Sequence, residues 1–474
     1  MNLSHALKWS FLAEIASKTI TPIVFLFLAR LLTPEDFGVV SAATMVIAFS
    51  QIFWEAGMSK ALIQRQTDIS EAANVAFWVN IALGCMIASL LFLSAGPIAM
   101  TFFKDARVTA VLQVMTLQVM FGALSSVQTA LLQKEMGFKK LFWVRMITVT
   151  FPGIASIPLA WSGFAYWSLV TGTLTGQIVQ VFMLWQLSHW RPSWHFHAAV
   201  AKEMVMFGAW VGVSGVLAWF YTWADSLIVG KYLGTHDLGL YRTGNQFVIL
   251  VFNMIFGPIM PVLYSYLSRM EQDQQRLKIA IEKVIRIIIL ISVPIAIILF
   301  TFSSLIGLAV FDSKWDGLGI VIGVMALVHG FSWIVGMNGE VYRAMGKPSY
   351  ETVVPALTLF LYLAAYTYTI QIGFNVFIWN RLLLALGALL FHLYILKIII
   401  KVNVLILMAY LCGVTIAAFF SVSIVHWLTI SYFSGVWLPL LAGSLTSVVL
   451  LGLIIYIFER NRMIMEIILF AKTC

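Results

Sequence analysis

Long apolar stretches alternate with short polar connectors along the whole chain. An α-helix needs roughly 20 apolar residues to cross the hydrocarbon core of a bilayer, and fourteen stretches approach or exceed that length. They cover residues 9–31, 37–58, 74–96, 109–132, 141–160, 164–187, 204–229, 240–267, 284–311, 318–342, 352–371, 374–398, 404–428 and 435–458. The pattern therefore predicts an all-α integral membrane protein of about 14 transmembrane helices.

The connectors between these stretches are too short to form a separate domain, as residues 59–71 and 268–278 illustrate. The first stretch has no small-residue cleavage site after a short apolar core, so we expect a retained anchor rather than a signal peptide. An even number of spans places both termini on one side of the membrane. If that side is the cytoplasm, 20 of the 29 Lys and Arg residues lie in cytoplasmic connectors and 5 in outer ones. The positive-inside rule therefore predicts cytoplasmic termini.

Composition supports the membrane interpretation and excludes several classes of protein. The chain has 474 residues, of which 61% are hydrophobic and 10% charged, whereas soluble domains average about 25% charged residues. The net charge of +9 includes no dense Lys/Arg run, so we expect no nucleic-acid partner. The three cysteines are unclustered, which predicts neither a disulfide framework nor a metal site. No GxxxxGK[ST] loop is present, so ATP is not expected to drive the protein directly.

The two halves of the chain resemble each other. The segment ARLLTPEDFGVVSAA from Ala29 aligns with GKYLGTHDLGLYRTG from Gly230, at an offset of 201 residues, and LLQKEMGFKK from Leu131 aligns with EVYRAMGKPS from Glu340 at an offset of 209. An offset of six helices gives the two halves the same orientation, an arrangement used for alternating access. We therefore expect a six-helix bundle in residues 1–200, a second in 201–400, and two additional helices in 401–474.

Two segments carry a resemblance to a known family. The run LARLLTPEDFGVVSAATMVIAFSQIFWEAGMSKALIQR from Leu28 and the run LLQKEMGFKKLFWVR from Leu131 resemble the polysaccharide-transporter branch of the MOP superfamily. These are the Wzx-type flippases for O-antigen and exopolysaccharide repeat units, with the colanic-acid-type members most similar. The resemblance is most specific over roughly the first 150 residues, and topology and the repeat extend it further.

The resemblance implies a MATE-like fold in the bacterial inner membrane and a transporter rather than an enzyme, with no cofactor. It also implies an undecaprenyl-diphosphate-linked oligosaccharide as substrate, moved from the inner to the outer leaflet. The expected partners are this lipid-linked glycan, the lipid bilayer, H⁺ or Na⁺ as coupling ion, and a polysaccharide polymerase with its chain-length regulator.

Polar groups inside the predicted spans are the candidate functional residues. A charge at mid-membrane costs about 2.5–3.5 kcal/mol on insertion scales, so such groups should face a cavity or a partner. The expected substrate-lining residues are Lys18, Arg381, Glu14, Arg242, Asp225, Trp219 and Trp223. The expected gate or coupling residues are Glu55, Arg145, Asn338, Glu340 and Arg343.

Each candidate also has a structural alternative. Glu14 and Lys18 stand four apart on one helical face and could form an ion pair, and Asp225 and Arg242 could pair across a hairpin as an outer gate or as a locked contact. The two tryptophans could offer flat apolar faces to sugars or only pack helices. Four of the charged residues lie near the inner ends of their spans, and their side chains could extend to the membrane interface; they are Glu55, Arg145, Glu340 and Arg343.

Two other functions remain open from the sequence. An ion-coupled multidrug or cation antiporter would share the fold, but it would favour acidic cavity groups, whereas Lys18 and Arg381 are basic. A membrane-embedded glycan polymerase or ligase would be expected to carry a sizeable outer loop, and the longest outer connector, residues 96–107, is about a dozen residues long.

Overall fold

The computed structural model describes residues 3–55, 57–259, 263, 266, 267, 274–345, 347, 349–453 and 456, and in the first helix the side chains of Trp9 and of Ser17 onward. These residues are helical with short connections, as expected where lipid cannot satisfy backbone hydrogen bonds. The first ten helices are α1 (Leu3–Leu31), α2 (Pro34–Glu55), α3 (Met58–Gln64), α4 (Ile69–Ile98), α5 (Ala106–Met115), α6 (Leu117–Lys134), α7 (Phe138–Trp161), α8 (Tyr166–Leu187), α9 (Ala198–Leu233) and α10 (Thr235–Phe256). A π-helical turn, Ala99–Phe103, extends α4.

Eight further helices follow in the described part of the chain. They are α11 (Gln274–Thr301), α12 (Ser303–Ile306), α13 (Leu318–Ile334), α14 (Asn338–Ala344), α15 (Ser349–Ile372), α16 (Phe374–Ile400), α17 (Val404–Tyr432) and α18 (Trp437–Leu453). A π-helical turn, Gly307–Phe311, and a 3₁₀ turn, Ser313–Trp315, connect α12 to α13.

The predicted spans coincide with these helices. Within the described residues, eleven helical segments are long and apolar enough to cross a membrane. The remaining three predicted spans fall on α1, α10 and α18. Apolar surface remains exposed around the helices, with Phe182, Leu383 and Trp427 each about two thirds exposed. The all-α, multi-pass class predicted from the sequence is therefore confirmed for the described residues.

Some boundaries differ from the prediction. The helix of the seventh predicted span, α9, runs for 36 residues and extends beyond the apolar stretch 204–229 at both ends. Three spans that read as continuous are broken at Thr116, Phe302 and Val335. At the first break the Thr116 hydroxyl donates to the carbonyl of Gln113 at 2.6 Å, one of the local bonds that compete with regular helix. Hydropathy does not register such breaks, because the residues remain apolar or small.

Packing divides the chain into two compact units, residues 1–243 and 244–474. In the first unit, α7 packs against α1 and α8, α6 against α4 and α8, and α2 against α5 and α9. Its main apolar core surrounds α3, where small side chains let helices approach closely. The buried core residues are Met58, Leu62, Ala72, Ala73, Val75, Ala76, Phe77, Val127, Ala130, Leu131 and Met204.

In the second unit, α11 packs against α13 and α17, and α13 packs against α16. The segment of α13 and α14 is the most enclosed membrane span of the described chain, with 61% of its most apolar window buried. The predicted homologous bundles in residues 1–200 and 201–400 stay a prediction.

Candidate functional site

A groove lies between α2, α3 and α9 within the first unit, with a volume of about 610 Å³. We call it the α2–α9 groove. Its polar and aromatic lining groups are Gln51, Glu55, Lys60, Ser214, Thr222, Trp219 and Trp223. The predicted lining residues Trp219 and Trp223 and the predicted gate residue Glu55 therefore share one groove. Lys60 adds a cation, so the groove carries both signs of charge.

The two tryptophans of the groove are held in place by different contacts. The Nε1–H of Trp219 donates to the backbone carbonyl of Met45 at 3.1 Å, and its ring centroid lies 4.8 Å from that of Phe49. The ring of Trp223 carries the guanidinium of Arg242, whose Cζ lies 3.9 Å from the ring centroid. Both rings are partly exposed and therefore offer a flat apolar face while their positions are fixed.

Asp225 is buried, and Arg242, which lies on the ring of Trp223, is partly buried. The Asp225 carboxylate accepts hydrogen bonds from the backbone N–H of Ser226 at 2.6 Å and from the Tyr241 hydroxyl at 2.7 Å. Arg242 donates to the Ser226 hydroxyl at 3.5 Å and interacts electrostatically with Asp225. The two charges therefore interact, and their pairing as a gate or as a locked contact stays a prediction.

The other predicted lining residues lie elsewhere. Lys18 is partly exposed on α1 and does not line the α2–α9 groove. The side chain of Glu14 lies outside the described residues. In the second unit, the Arg381 guanidinium on α16 lies 5.2 Å from the ring centroid of Tyr366 and donates to its hydroxyl. The structure therefore groups Trp219, Trp223, Asp225 and Arg242, and leaves Lys18 apart from them within the first unit.

Of the predicted gate and coupling residues, one lies in the α2–α9 groove and the others lie elsewhere. Glu55 lies in the groove, and Arg145 is exposed on α7. Arg343 forms ion pairs with Glu340 at 2.7 Å and with Glu351 at 3.3 Å, all within the second unit.

The remaining gate candidate, Asn338, is buried in the second unit. Its amide donates to the Tyr342 hydroxyl at 3.5 Å, and Nδ1 of His392 lies 3.1 Å from that hydroxyl.

A second cavity in the first unit is lined mainly by amide and hydroxyl groups. This amide pocket has a volume of about 310 Å³ and lies between α2, α3, α6 and α8. Its polar lining residues are Gln51, Glu55, Ser59, Gln118, Ser125, Ser126, Thr129, Gln133, Gln177 and Gln180, and Trp54 forms part of its wall. It is not among the sequence-based expectations, because these rest on the ionisable residues of the spans. Glutamines recurring inside apolar stretches were the signal that could have revealed it.

The starts of α2 and α10 form a third polar cluster, which the sequence analysis also missed. Nδ1–H of His236 donates to Oε1 of Glu35 at 2.6 Å, and the Thr235 hydroxyl donates to Asp105 at 2.7 Å. Arg107 pairs with the same Asp105 carboxylate at 2.8 Å. We call Glu35, Asp105, Thr235 and His236 the helix-start cluster.

Electrostatics favour the charged form of Asp105, which lies between two membrane spans. Burial alone would raise the pKa of this carboxyl group, but hydrogen bonds from Arg107 and Thr235 outweigh it and lower the pKa below its ordinary value of 3.8. Asp105 is therefore ionised at neutral pH and helps hold the start of α10.

The turn TPED, residues 33–36, has a structural role. Asp36 accepts hydrogen bonds from the backbone N–H and the hydroxyl of Thr33, at 3.0 and 2.9 Å, which closes the start of α2 in the manner of a capping box. Its second carboxylate oxygen accepts the N–H of Tyr166 at 3.0 Å, at the start of α8.

Two solved structures of transport proteins share the fold of this chain. The chain superposes on the lipid II flippase MurJ, in an inward closed conformation, with a TM-score of 0.76 at 13% identity, covering 96% of this chain and 99% of that one. It superposes on an inward-facing multidrug resistance MATE family transporter of the MOP superfamily with a TM-score of 0.62 at 12% identity, covering 81% and 95%. Fold and buried polar groups together define the class: a multi-pass membrane protein with a MATE-like fold.

Sequence comparison then gives the family. Residues 27–319 match the family described as "Polysaccharide biosynthesis protein", and the chain belongs to that family. The predicted resemblance to the polysaccharide-transporter branch of the MOP superfamily is therefore confirmed.

Curated relatives carry related names. The succinoglycan biosynthesis transport protein ExoT of Rhizobium meliloti (strain 1021) is 27% identical, over 68% of this chain and 65% of that protein. The teichuronic acid biosynthesis protein TuaB of Bacillus subtilis (strain 168) is 23% identical, over 84% and 82%. The lipopolysaccharide biosynthesis protein WzxC of Escherichia coli (strain K12) is 21% identical, over 76% and 73%. The first of these relatives is named as a transport protein and the other two for teichuronic acid and lipopolysaccharide biosynthesis, and with the family match they support the prediction of a transporter rather than an enzyme.

Proposed function

We propose that this protein is a flippase for an undecaprenyl-diphosphate-linked oligosaccharide, which it moves from the inner to the outer leaflet of the bacterial inner membrane. The observation that carries the proposal is the α2–α9 groove: a volume of about 610 Å³ lined by Gln51, Glu55, Lys60 and two tryptophans, on helices apolar enough to cross a membrane. Family membership and relatives named for polysaccharide biosynthesis and transport support it.

The physical task of such a protein is to shelter a hydrophilic head group. Polar groups without partners in hydrocarbon cost several kcal/mol each, so a glycan rich in hydroxyls and carrying a diphosphate cannot cross lipid at a useful rate. A polar groove lowers that barrier by replacing water with side-chain donors and acceptors. The polyprenyl tail can remain in lipid throughout, against the apolar outer surface of the helices.

The candidate residues take complementary parts in this mechanism. Lys18 and Arg381 supply positive charge for the diphosphate or for acidic sugars, while Trp219 and Trp223 present apolar faces to sugar rings. Arg242 lies on the ring of Trp223 and interacts electrostatically with Asp225, so it links the position of this ring to the two charges. The starts of α2 and α10 close against each other in the helix-start cluster, and alternating access requires that contact to open.

An ion gradient supplies the driving force in this scheme. One charge moved through 100 mV is worth about 2.3 kcal/mol, and H⁺ or Na⁺ would serve. Glu55, Arg145, Asn338, Glu340 and Arg343 are the groups proposed to couple or gate the movement. Both termini lie in the cytoplasm, as the charge asymmetry predicts, and a polymerase with its chain-length regulator would receive the flipped glycan.

The test is a deletion strain of the bacterium that encodes the protein. We expect surface polysaccharide to disappear and lipid-linked repeat units to accumulate on the inner leaflet. The wild-type gene should reverse both changes. A Trp219→Ala variant should restore export poorly, whereas Trp427→Ala, at an exposed outer face of α17, should restore it fully. Normal polysaccharide in the deletion strain, together with new sensitivity to cationic drugs, would instead identify a multidrug antiporter.

A further inference from the structure

The geometry points to the amide pocket as a recognition subsite for one uncharged sugar residue of the transported glycan. This inference rests on the proposed function, since it assigns a glycan-binding role to a cavity in a protein proposed to carry glycans. The pocket's volume of about 310 Å³ lies at the lower end of the range of roughly 300–1,000 Å³ for small-molecule sites. It therefore suits a single sugar ring rather than an oligosaccharide.

The strongest argument is a matched donor and acceptor at Gln118 and Gln177. Nε2 of Gln177 donates to Oε1 of Gln118 at 3.3 Å. The other two amide atoms, Nε2 of Gln118 and Oε1 of Gln177, are enclosed and have no hydrogen-bond partner among the described residues. Reversing both amides leaves the same result, one unsatisfied donor and one unsatisfied acceptor. A hydroxyl group is both donor and acceptor, so the hydroxyls of a sugar are ligand groups that match these two atoms.

The hydroxyl side chains of the pocket favour the same ligand. Ser125, Ser126 and Thr129 donate to the backbone carbonyls of Gly122, Ala123 and Ser125, at 3.2, 3.2 and 2.9 Å. Their hydrogen atoms are thereby occupied, and the Ser126 oxygen also accepts a hydrogen bond from Nδ2 of Asn80 at 2.8 Å. The remaining oxygen lone pairs suit a ligand that brings its own donors, as a polyhydroxylated ring does.

One aromatic residue forms part of the pocket wall. Trp54 lines the cavity and is 5% exposed. The ring packs directly on Gly122, where an added Cβ would lie 2.6 Å from two of its carbon atoms. Residue 122 must therefore be glycine for Trp54 to hold this position. Trp54 therefore adds an apolar contact to a pocket of amide groups, which suits the C–H groups of a sugar ring.

Charge excludes other ligands. Glu55 is the one ionisable side chain among the lining residues of this cavity, and it accepts a hydrogen bond from Gln51 at 3.3 Å. A phosphate or a uronate would be repelled by this carboxylate and would find no cation. Gln51 and Glu55 also line the α2–α9 groove, so a glycan in the groove can extend one residue into the pocket.

Binding to the purified full-length chain in lipid nanodiscs tests the assignment directly. The probes are methyl glucoside, methyl galactoside and methyl mannoside, with methyl glucuronide as the charged comparison, detected by saturation-transfer NMR. We expect at least one neutral glycoside to bind and the glucuronide not to bind. In the double variant Q118L/Q177L the affinity should fall about tenfold, as expected for two lost hydrogen bonds. Absence of neutral-glycoside binding to the wild type, or unchanged binding by the variant, overturns the inference.

Complementation of the deletion strain separates this inference from the proposed function. The double variant replaces two enclosed amides by apolar groups of similar size and should fold, which its level in the membrane checks; Gln180→Leu is a second, independent variant. Gln371→Leu, whose amide bonds the Thr367 carbonyl in the second unit, is the matched control. We expect reduced export by both pocket variants and full export by the control. Full export by the pocket variants would refute the subsite alone, whereas a deletion strain with normal polysaccharide would refute the flippase.

Discussion

Glu35 and His236 are 201 residues apart in sequence, and their side chains meet at 2.6 Å. The separation equals the offset at which the two halves of the sequence align. Their neighbours interlock reciprocally: a Cβ on Gly38 would lie 1.7 Å from the carbonyl oxygen of Thr235, and one on Gly239 would lie 1.8 Å from that of Pro34. Such an exchange of equivalent contacts is what a two-fold axis between the starts of α2 and α10 would produce.

The first prediction concerns this interlocked backbone. Gly38→Ala and Gly239→Ala each place a methyl group within 2 Å of a carbonyl oxygen, which forces the two helix starts apart. Overpacking of this kind typically costs about 1–3 kcal/mol, so the unfolding temperature in detergent should fall. Gly413→Ala, a helical position with nothing within 4 Å of the added Cβ, should be neutral or slightly stabilising. Equal unfolding temperatures for all three variants would contradict the close approach.

The second prediction concerns the opening of the helix-start cluster. Cysteines at residues 35 and 236, in a chain whose native cysteines are replaced by serine, should be joined by a short bismaleimide linker. A protease site placed in residues 188–197 shows the link, because joined fragments stay together after cleavage. Transport should stop once the link forms, since alternating access requires the contact to separate.

A control pair at residues 35 and 202 should not be joined. Residue 202 lies near the opposite end of α9, about 45 Å along the helix axis from its C-terminal end at 1.5 Å per residue. Undiminished transport by the fully linked 35/236 chain would show that this contact does not open during the cycle.

The third prediction is a pH effect at Asp105. Because hydrogen bonds lower its pKa below 3.8 in the folded chain, its contribution to stability is fully present above pH 3.8 and is lost as the pH falls through the lower folded value. Asp105→Asn should therefore unfold at a lower temperature than the wild type at pH 7. The difference between their unfolding temperatures should be smaller at pH 3. A difference that does not change between pH 7 and pH 3 would show that the carboxylate charge does not matter there.

The fourth prediction separates the two tryptophans of the groove. Trp223→Ala removes the ring beneath Arg242 and should destabilise the chain by about 0.5–2 kcal/mol beyond the loss of apolar contact. Trp219→Phe keeps an aromatic face but loses the hydrogen bond to Met45, so it should retain most export while Trp219→Ala does not. Thermal unfolding and export are measured on the same variants. Equal export by Trp219→Phe and Trp219→Ala would remove the aromatic face from the mechanism.

The sequence predicts the helices well because bilayer thickness imposes a length on each apolar stretch, and the predicted spans fall on helices. It predicts less of the site. The contact between Glu35 and His236 depends on how two helices pack, which hydropathy does not encode, although the alignment already places these residues at equivalent positions.

The amide pocket was missed for a different reason. An uncharged glutamine inside a span is compatible with ordinary helix packing, and only the packing of α6 against α8 brings Gln118 and Gln177 together. Conversely, Arg242 was expected to meet Asp225 across a hairpin, and the sequence did not indicate that its guanidinium would lie on the ring of Trp223.

The most direct test of the central claim is a flipping measurement with the purified full-length chain in liposomes. An undecaprenyl-diphosphate-linked oligosaccharide labelled on its sugar is placed in both leaflets, and a membrane-impermeant enzyme or quencher reports the fraction exposed outside. The account predicts that the protected fraction becomes accessible when the wild-type chain is present, and much more slowly with Trp219→Ala. A protected fraction that stays constant with the folded wild-type chain, with an H⁺ or Na⁺ gradient imposed in either direction, would contradict it.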